Sequence, residues 1–528
     1  MMPRALLWTF ILRPNDLGVF GSSEFHMPLE QQLVDELSTD HLHADLKGRS
    51  VRGGVLTLTS QGTQFTLQTI STVVLARLLT PADFGLVAMV TAVTGLASAF
   101  ADFGLSEATI QRKDINHDQV SALFWINLAI GAGLMLITAA LGPALAWIYR
   151  EPRIREITYL LSLTFLIGGL RVQPNALLKR QMRFGALAFR DITSYAIAVP
   201  LAIVMAWRGS GYWALVGLPL TLNTVQMVLS WLLVHWRPGL PRRTSDLRSL
   251  LAFGGNVSVS YLVTNLNRSA DGGLVGWYWG AGPLGFYSRA YNLLMLPVRQ
   301  LSLPAGNVAI PTFSRIQNEP ERFARYYLRT ASLIMWICAP LFGFLFVAAA
   351  PVIALILGPQ WGEAAPVFQI LAVSALGQLF LEMSIWMLVS RGLSGRLLKM
   401  LLIISPILIG GFLVGLPFGI KGVALAGSVV QIAILPWMLH FTFRGTSLTL
   451  KQLGQVIVYP ISLCLFAILL AELGLHAMAP QMILSQLLVA ASGFVSAYTF
   501  SALLPRVRKE FLSFRDLLSA FGISKQAA

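Results

Sequence analysis

The chain has 528 residues, of which 55% are hydrophobic and 12% charged, with a formal net charge of +15 and a mean hydropathy of +0.67. Soluble domains carry about 25% charged residues, so this composition excludes an ordinary soluble fold and predicts a polytopic membrane protein. Its two cysteines, Cys338 and Cys464, sit in apolar runs with no C-x-x-C or His-rich setting, which leaves metal, redox and disulfide chemistry without support.

Residues 1–50 stand apart. "RALLWTFIL" is too short to span, lacks a small-residue cleavage site and leads into the polar, acidic "EQQLVDELSTDHLHADLKGRS", which predicts a soluble cytoplasmic leader with Met27 as an alternative start. From Gly54 onward, about fourteen apolar segments of roughly 20 residues follow, each long enough to cross a hydrocarbon core about 30 Å thick. They fall near 54–78, 84–106, 119–142, 157–176, 190–207, 212–234, 250–279, 285–311, 329–350, 366–389, 399–416, 421–441, 453–472 and 481–503. Segments of this length are helices, since a closed barrel would show short alternating strands.

Orientation follows from Lys and Arg. One set of alternate loops holds Arg112 and Lys113, then Arg171, Lys179, Arg180, Arg183 and Arg190, then Arg237, Arg242, Arg243 and Arg248, and continues in this way to Arg444 and Lys451. The opposite set holds only Arg150, Arg153, Arg155, Arg208 and Lys421, so both termini are expected in the cytoplasm. The basic charge is thereby a topology signal, and no nucleic-acid partner is expected.

A shift of 200 residues places Gly54 on Gly254, Ser60 on Ser260, Gly85 on Gly285 and Ile110 on Ile310, and "LLTPADFGL" over "YWGAGPLGF". Two pseudo-symmetric lobes are expected, at 51–234 and 250–441, joined by the basic linker 235–249. Two further helices over 442–503 and a basic cytoplasmic tail, 504–528, complete the chain.

Span 1 carries Thr57, Gln61, Gln64, Gln68 and Ser71 on one helical face, and span 7 carries Asn256, Ser260, Thr264, Asn267 and Asp271 in the same way. Interhelical hydrogen bonding would account for one or two such residues at roughly 0.6 kcal/mol each. Five in register, at matching places in both lobes, point to the walls of a water-filled cavity.

Once the arginines counted with the loops, leader and tail are subtracted, four remain inside spans. Arg77 and Arg289 lie near outer ends, where snorkelling to headgroups competes with a gate role. Arg268 and Arg299 lie about 11 and 14 residues below the outer turns, roughly 17–21 Å deep at 1.5 Å per residue. Charges at such depth cost about 2.5–3.5 kcal/mol on insertion scales. Asp271 is placed to pair with Arg268 at i,i+3, whereas Arg299 has no local partner. The cavity is therefore expected to be cationic and suited to a phosphate-like anion, which arginine binds through paired hydrogen bonds.

Glu382 admits three readings: proton coupling, a cytoplasmic surface site or helix packing. The aromatic run 277–279, Trp-Tyr-Trp, fits an interfacial belt better than a sugar platform. No Walker A motif, H-E-x-x-H motif or strand-based glycine fingerprint occurs, so neither an ATPase nor another enzyme is indicated.

"VVLARLLTPADFGLVAMV", "FADFGLSEATIQRKDINHDQVSALFWINL", "GPLGFYSRAYNLLMLPVRQLS" and "PTFSRIQNEPERF" together resemble the polysaccharide transporter branch of the MOP exporter superfamily, notably its Wzx-type, colanic-acid-like flippases. The resemblance covers about residues 50–510. It implies the MOP flippase fold, with two six-helix lobes around a cationic cavity lined by spans 1, 2, 7 and 8, and two added C-terminal helices. The implied function is translocation of undecaprenyl-diphosphate-linked oligosaccharide repeat units across the bacterial inner membrane, for exopolysaccharide, capsule or lipopolysaccharide assembly. No cofactor is implied. The driving force would be a proton or sodium gradient or the membrane potential, with Asp271 as the coupling candidate, and the partners would be membrane lipids, the polymerase and the export machinery.

Competing readings fare less well. A drug or cation antiporter would need an acidic cavity. A polysaccharide polymerase or ligase would need a sizeable outer loop, whereas the longest here is about 14 residues, near 143–156. A non-transporting scaffold would have no use for deep arginines.

Overall fold

A computed structural model describes residues 46–98, 100, 106, 109, 110, 115–240, 265, 266 and 269–501. All regular structure among them is helical. The chain divides into two compact units, Met1–Gly285 and Phe286–Ala528.

In the first unit, helix α1 spans Leu46–Leu78 and α2 spans Pro81–Ser98. α3 (His117–Ile148), α4 (Arg153–Arg180), α5 (Phe184–Trp207), α6 (Trp213–Leu233) and a shorter stretch, α7 (269–279), follow. α3 lies along α4, α5 packs against α1 and α6, and α4 also meets α6. The α3–α4 crossing is close because both helices use glycine at the contact. A β-carbon on Gly131 would come within 2.6 Å of the Phe165 carbonyl oxygen, and one on Gly169 within 2.7 Å of the Asn127 carbonyl oxygen.

Helix α8, Ala281–Arg315, begins at the end of the first unit and leads into the second. α9 (Pro320–Val347), the short α10 (Ala349–Ile356), α11 (Ala364–Ser390), α12 (Ser394–Gly415), α13 (Gly419–Phe443), α14 (Leu450–Met478) and α15 (Ile483–Ser501) complete the described chain. α13 packs against α11 and α12, and α9 packs against α11 and α14. α14 closes on α15.

Helix starts follow local chemistry. Asn116 opens α3 and Thr449 opens α14, each in a capping box whose third residue, Gln119 or Gln452, bonds back to the cap. The turn before α2 works the same way. The Thr80 hydroxyl accepts from the Asp83 amide at 3.3 Å, while Asp83 Oδ2 accepts from the Thr80 amide at 2.9 Å and its hydroxyl at 2.7 Å. Asp83 therefore locks the capping residue instead of capping the helix amides itself.

Among the described residues, nine helical stretches are long and apolar enough to cross a membrane, with α12 and α13 counted together as Ser394–Phe443. Helices α1, α4 and α8 are long enough but too polar to qualify. The polar content of these three helices is concentrated in the groups described below.

Two expectations change. Arg171 and Arg190, counted with the charge of a cytoplasmic loop although they fall at the edges of the segments read at 157–176 and 190–207, lie well inside α4 and α5, because helix runs on to Arg180 and resumes at Phe184. For the same reason the outer connection near 143–156 shrinks to residues 149–152.

The 200-residue shift has a physical counterpart in the first unit. A β-carbon on Gly85 would overlap the backbone carbonyl of Ala281, and one on Gly285 would overlap that of Pro81. Positions 81 and 281, and 85 and 285, are equivalent under the shift, so the two turns bury glycine reciprocally against each other's first helical residue. Gly85→Val or Gly285→Val should destabilise the protein by about 1–3 kcal/mol, because rigid backbone faces the added methyls. Gly282→Ala, which meets nothing within 4 Å, should change stability by no more than about 0.5 kcal/mol. Thermal unfolding of the detergent-purified variants checks both.

Candidate functional site

Helix α1 separates its polar residues into two kinds. Thr57, Thr59, Thr63, Thr66, Thr69 and Thr72 each donate the hydroxyl to the carbonyl four residues back, at 2.7–3.0 Å. Ser60 and Ser71 are buried, and Gln64 donates to the Ser60 hydroxyl at 2.9 Å. Gln61 and Gln68 remain exposed, two turns apart on one face, and Arg77 is exposed in the last turn. The expected five-residue stripe thus reduces to two free amides and a terminal guanidinium.

Helix α8 presents a longer polar face. Asn292, the adjacent Arg299 and Gln300, Asn307 and Arg315 are exposed, and the seven- or eight-residue steps between these positions keep them on one side of the helix. Pro297, Pro304 and Pro311 recur every seven residues in the same helix. Each lacks the amide hydrogen that would bond the carbonyl four residues earlier, so the carbonyls of Leu293, Gln300 and Asn307 lose their in-helix donor. These released acceptors, seven residues apart, also share a face. Arg289 is partly buried.

Asp271 is buried in α7 and accepts from the Gly272 amide at 2.7 Å. Arg268, Asn256, Ser260, Thr264 and Asn267 lie outside the described residues. Trp277, Tyr278 and Trp279 are exposed and meet edge to face at the end of α7. At the loop between α3 and α4, the Arg153 guanidinium, 2.8 Å away, holds the Glu151 carboxyl below the usual carboxylate range.

A second polar group, unforeseen in the sequence, lies where α4, α5 and α6 meet. Arg190 is buried and gives Nε and Nη2 to Asp191 Oδ1 at 2.8 and 2.6 Å. Its Nη1 donates to Asn175 at 2.6 Å and lies 3.5 Å from the Ser230 hydroxyl. Gln226 donates to the same Asp191 oxygen at 3.3 Å, and its own carbonyl oxygen accepts from Arg171 Nη1. The sequence signal was present: "LRVQPN" and "FRDI" place arginine within apolar helix, but both were absorbed by the positive-inside count.

Beside this group, residues 234–240 fold back onto α3. The Trp236 indole donates to His117 Nδ1 at 3.1 Å, and Trp125 donates to the Gly239 carbonyl at 2.8 Å. Trp231 stacks on Trp236, with Arg237 5.5 Å above the Trp231 ring.

Asp191→Asn should cost about 3 kcal/mol of stability, because it leaves two guanidinium groups in an apolar surround with no carboxylate. Asp118→Asn, on α3 with no part in the group, is the reference. Unfolding midpoints in detergent decide the difference.

Residues 74–366 match the family model described as "Polysaccharide biosynthesis protein". The chain is 26% identical to the lipopolysaccharide biosynthesis protein WzxC of Escherichia coli (strain K12), over 68% of this chain and 74% of that protein. It is 25% identical to the teichuronic acid biosynthesis protein TuaB of Bacillus subtilis (strain 168), over 70% and 77%. It is also 25% identical to the succinoglycan biosynthesis transport protein ExoT of Rhizobium meliloti (strain 1021), over 64% and 67%. Among solved structures it is similar to the lipid II flippase MurJ in an inward closed conformation, with a TM-score of 0.64 and 12% identity over 86% of this chain and 99% of that one. An inward-facing multidrug resistance MATE family transporter of the MOP superfamily is similar at a TM-score of 0.59, with 15% identity over 72% and 94%.

Proposed function

The chain belongs to the polysaccharide biosynthesis protein family, and from that premise we propose that it is a flippase for undecaprenyl-diphosphate-linked oligosaccharide repeat units in the assembly of exopolysaccharide, capsule or lipopolysaccharide. Its relatives carry names of lipopolysaccharide and teichuronic acid biosynthesis and of succinoglycan transport. Its fold is shared with a lipid II flippase and a multidrug transporter.

One observation supports this over a drug antiporter. The exposed polar face of α8 carries guanidinium and carboxamide groups and no carboxylate. Arginine gives a diphosphate paired, charge-assisted hydrogen bonds, whereas a cationic drug would be repelled. Asn292, Asn307, Gln61 and Gln68 supply neutral donors and acceptors suited to saccharide hydroxyls. In this reading Arg299 and Arg268 hold the diphosphate, Arg289 supports them, and Arg77 acts at the outer end. Asn256, Ser260, Thr264 and Asn267 extend the polar surface on span 7.

The finer architecture belongs to the same proposal: fourteen spans, two six-helix lobes and two added C-terminal helices, with both termini in the cytoplasm of a bacterial inner membrane. Rocking of repeat-related lobes about a midplane site would move the glycan across. A proton or sodium gradient or the membrane potential drives it, with Asp271 as the coupling carboxylate, and the polymerase and export machinery receive the product.

Purified protein in liposomes with a fluorescent undecaprenyl-diphosphate oligosaccharide tests the reading. Arg299→Ala should slow flipping about tenfold, the equivalent of one charge-assisted hydrogen bond at roughly 1.5 kcal/mol. The Arg268→Ala, Arg299→Ala double variant should slow it further. Wild-type flipping by a folded double variant would remove the charge-based mechanism.

A further inference from the structure

The group at α4, α5 and α6 holds two guanidinium charges and one carboxylate. Asp191 already receives two donors from Arg190, whose Nη1 goes to Asn175 and lies 3.5 Å from the Ser230 hydroxyl. Arg171 is left with a single hydrogen bond, from Nη1 to the Gln226 carbonyl oxygen. Among the described residues its Nε and Nη2 donate to no side chain, and no carboxylate forms an ion pair with it. It lies within electrostatic range of both Arg190, which repels it, and Asp191. Glu156, the one acidic residue of α4, is at the opposite end of the helix, four turns away. Among the described residues one positive charge therefore has no ion-pair partner, and two donors in fork geometry remain available to an anion.

The position of the group narrows what can do so. Arg171 is nine residues from the Arg180 end of α4, and Gln226 is seven from the Leu233 end of α6, so both lie roughly 10–14 Å along their helices. These ends are held together by Arg183, which donates to the Leu233 carbonyl at 2.9 Å. α4 has 28 residues, about 42 Å at 1.5 Å per residue, which exceeds a hydrocarbon core about 30 Å thick and carries its ends into the headgroup layers. Arg171 thus lies within a side-chain length of one headgroup plane. Trp231 borders it, donating its indole N–H to the Leu170 carbonyl at 3.0 Å. Val228 and Leu232 on the same helix are exposed apolar side chains against which acyl chains can lie.

We propose that Arg171, Gln226 and Trp231 form a binding site for a lipid-borne phosphate, at the α4–α5 end of the first unit and distinct from the polar faces of α1 and α8. A phosphoryl group there accepts from Arg171 Nε and Nη2, supplies the missing negative charge and relieves the repulsion between Arg171 and Arg190. Trp231 seats the glycerol or isoprenoid segment beneath it. The lipid is either a bilayer phospholipid or a polyprenyl phosphate, and the phosphate is common to both.

Native mass spectrometry of the full chain in detergent, with dioleoylphosphatidylglycerol, undecaprenyl phosphate or dioleoylglycerol added, separates these. Wild type should bind at least one of the two phosphate lipids about tenfold more tightly than Arg171→Gln, and the phosphate-bearing lipid with the larger difference is the occupant. Dioleoylglycerol should bind both proteins equally. Equal binding of all three lipids by wild type and variant means ordinary annular lipid only, and overturns the proposal. Thermal unfolding gives an independent readout. Without added lipid, Arg171→Gln should be at least as stable as wild type, since it removes a like charge, and it should lose the lipid-induced rise in midpoint. A lowered midpoint with an undiminished lipid response would make Arg171 a packing residue and overturn the site. If Arg171→Gln does not fold, Arg171→Lys keeps the charge without the fork and must bind the phosphate lipid at least threefold more weakly than wild type. Equal binding by the lysine variant is the contrary result.

Discussion

Inside a bilayer every polar group must find a partner within the protein or meet water, and this constraint organises the molecule. Helix α1 shows it most simply. Six threonine hydroxyls are returned to their own helix and cost nothing in exposed polarity, whereas Gln61 and Gln68 cannot be returned in that way. Helix α8 extends the same logic to the backbone, since three prolines release three carbonyls on one side. A helix carrying such a face is stable only where that face is covered or wet. The polar groups of α4, α5 and α6 are the complementary case, in which arginine, aspartate, asparagine and glutamine satisfy most of one another's needs within the unit.

Most of the helical layout was legible in the sequence because hydrophobic run length is a direct physical requirement. The segments read at 366–389, 421–441 and 481–503 correspond to α11, α13 and α15 to within a few residues. Boundaries near charge were harder. The lysines and arginines of "LRVQPNALLKRQMRFGALAFRDI" read as a loop because counting charge cannot tell a snorkelling or paired guanidinium from a solvated one. Helix nevertheless takes in Arg171, Lys179 and Arg180 in α4 and Arg190 in α5, with only 181–183 between them, and Arg190 brings its own counterion in the next residue, Asp191.

The polar stripes were partly legible. The register of glutamines in span 1 places them on one helix face, but only the folded helix separates Gln64, tied to Ser60, from Gln61 and Gln68. On α8 the asparagines at 292 and 307 passed unnoticed beside the more conspicuous arginines, although their spacing with Arg299 carries the same periodic signal. The repeat was faint in sequence, with few identities across the 200-residue shift. It becomes specific in three dimensions, where Gly85 and Gly285 are each required by the other turn's backbone. Contacts that close tolerate no side chain, which is why glycine occupies both equivalent positions while their neighbours differ.

If α1 and α8 line the translocation path, their polar faces meet water during the working cycle. Single cysteines at Gln61, Gln68, Asn292 and Asn307, probed with a hydrophilic thiol reagent in permeabilised membranes, test it most directly, because the native Cys338 and Cys464 are buried. A cysteine at Leu465, an exposed apolar position on α14, serves as the lipid-facing reference. Ready labelling is expected at the four polar positions and none at 465. Labelling at the four positions as poor as at 465 would contradict it.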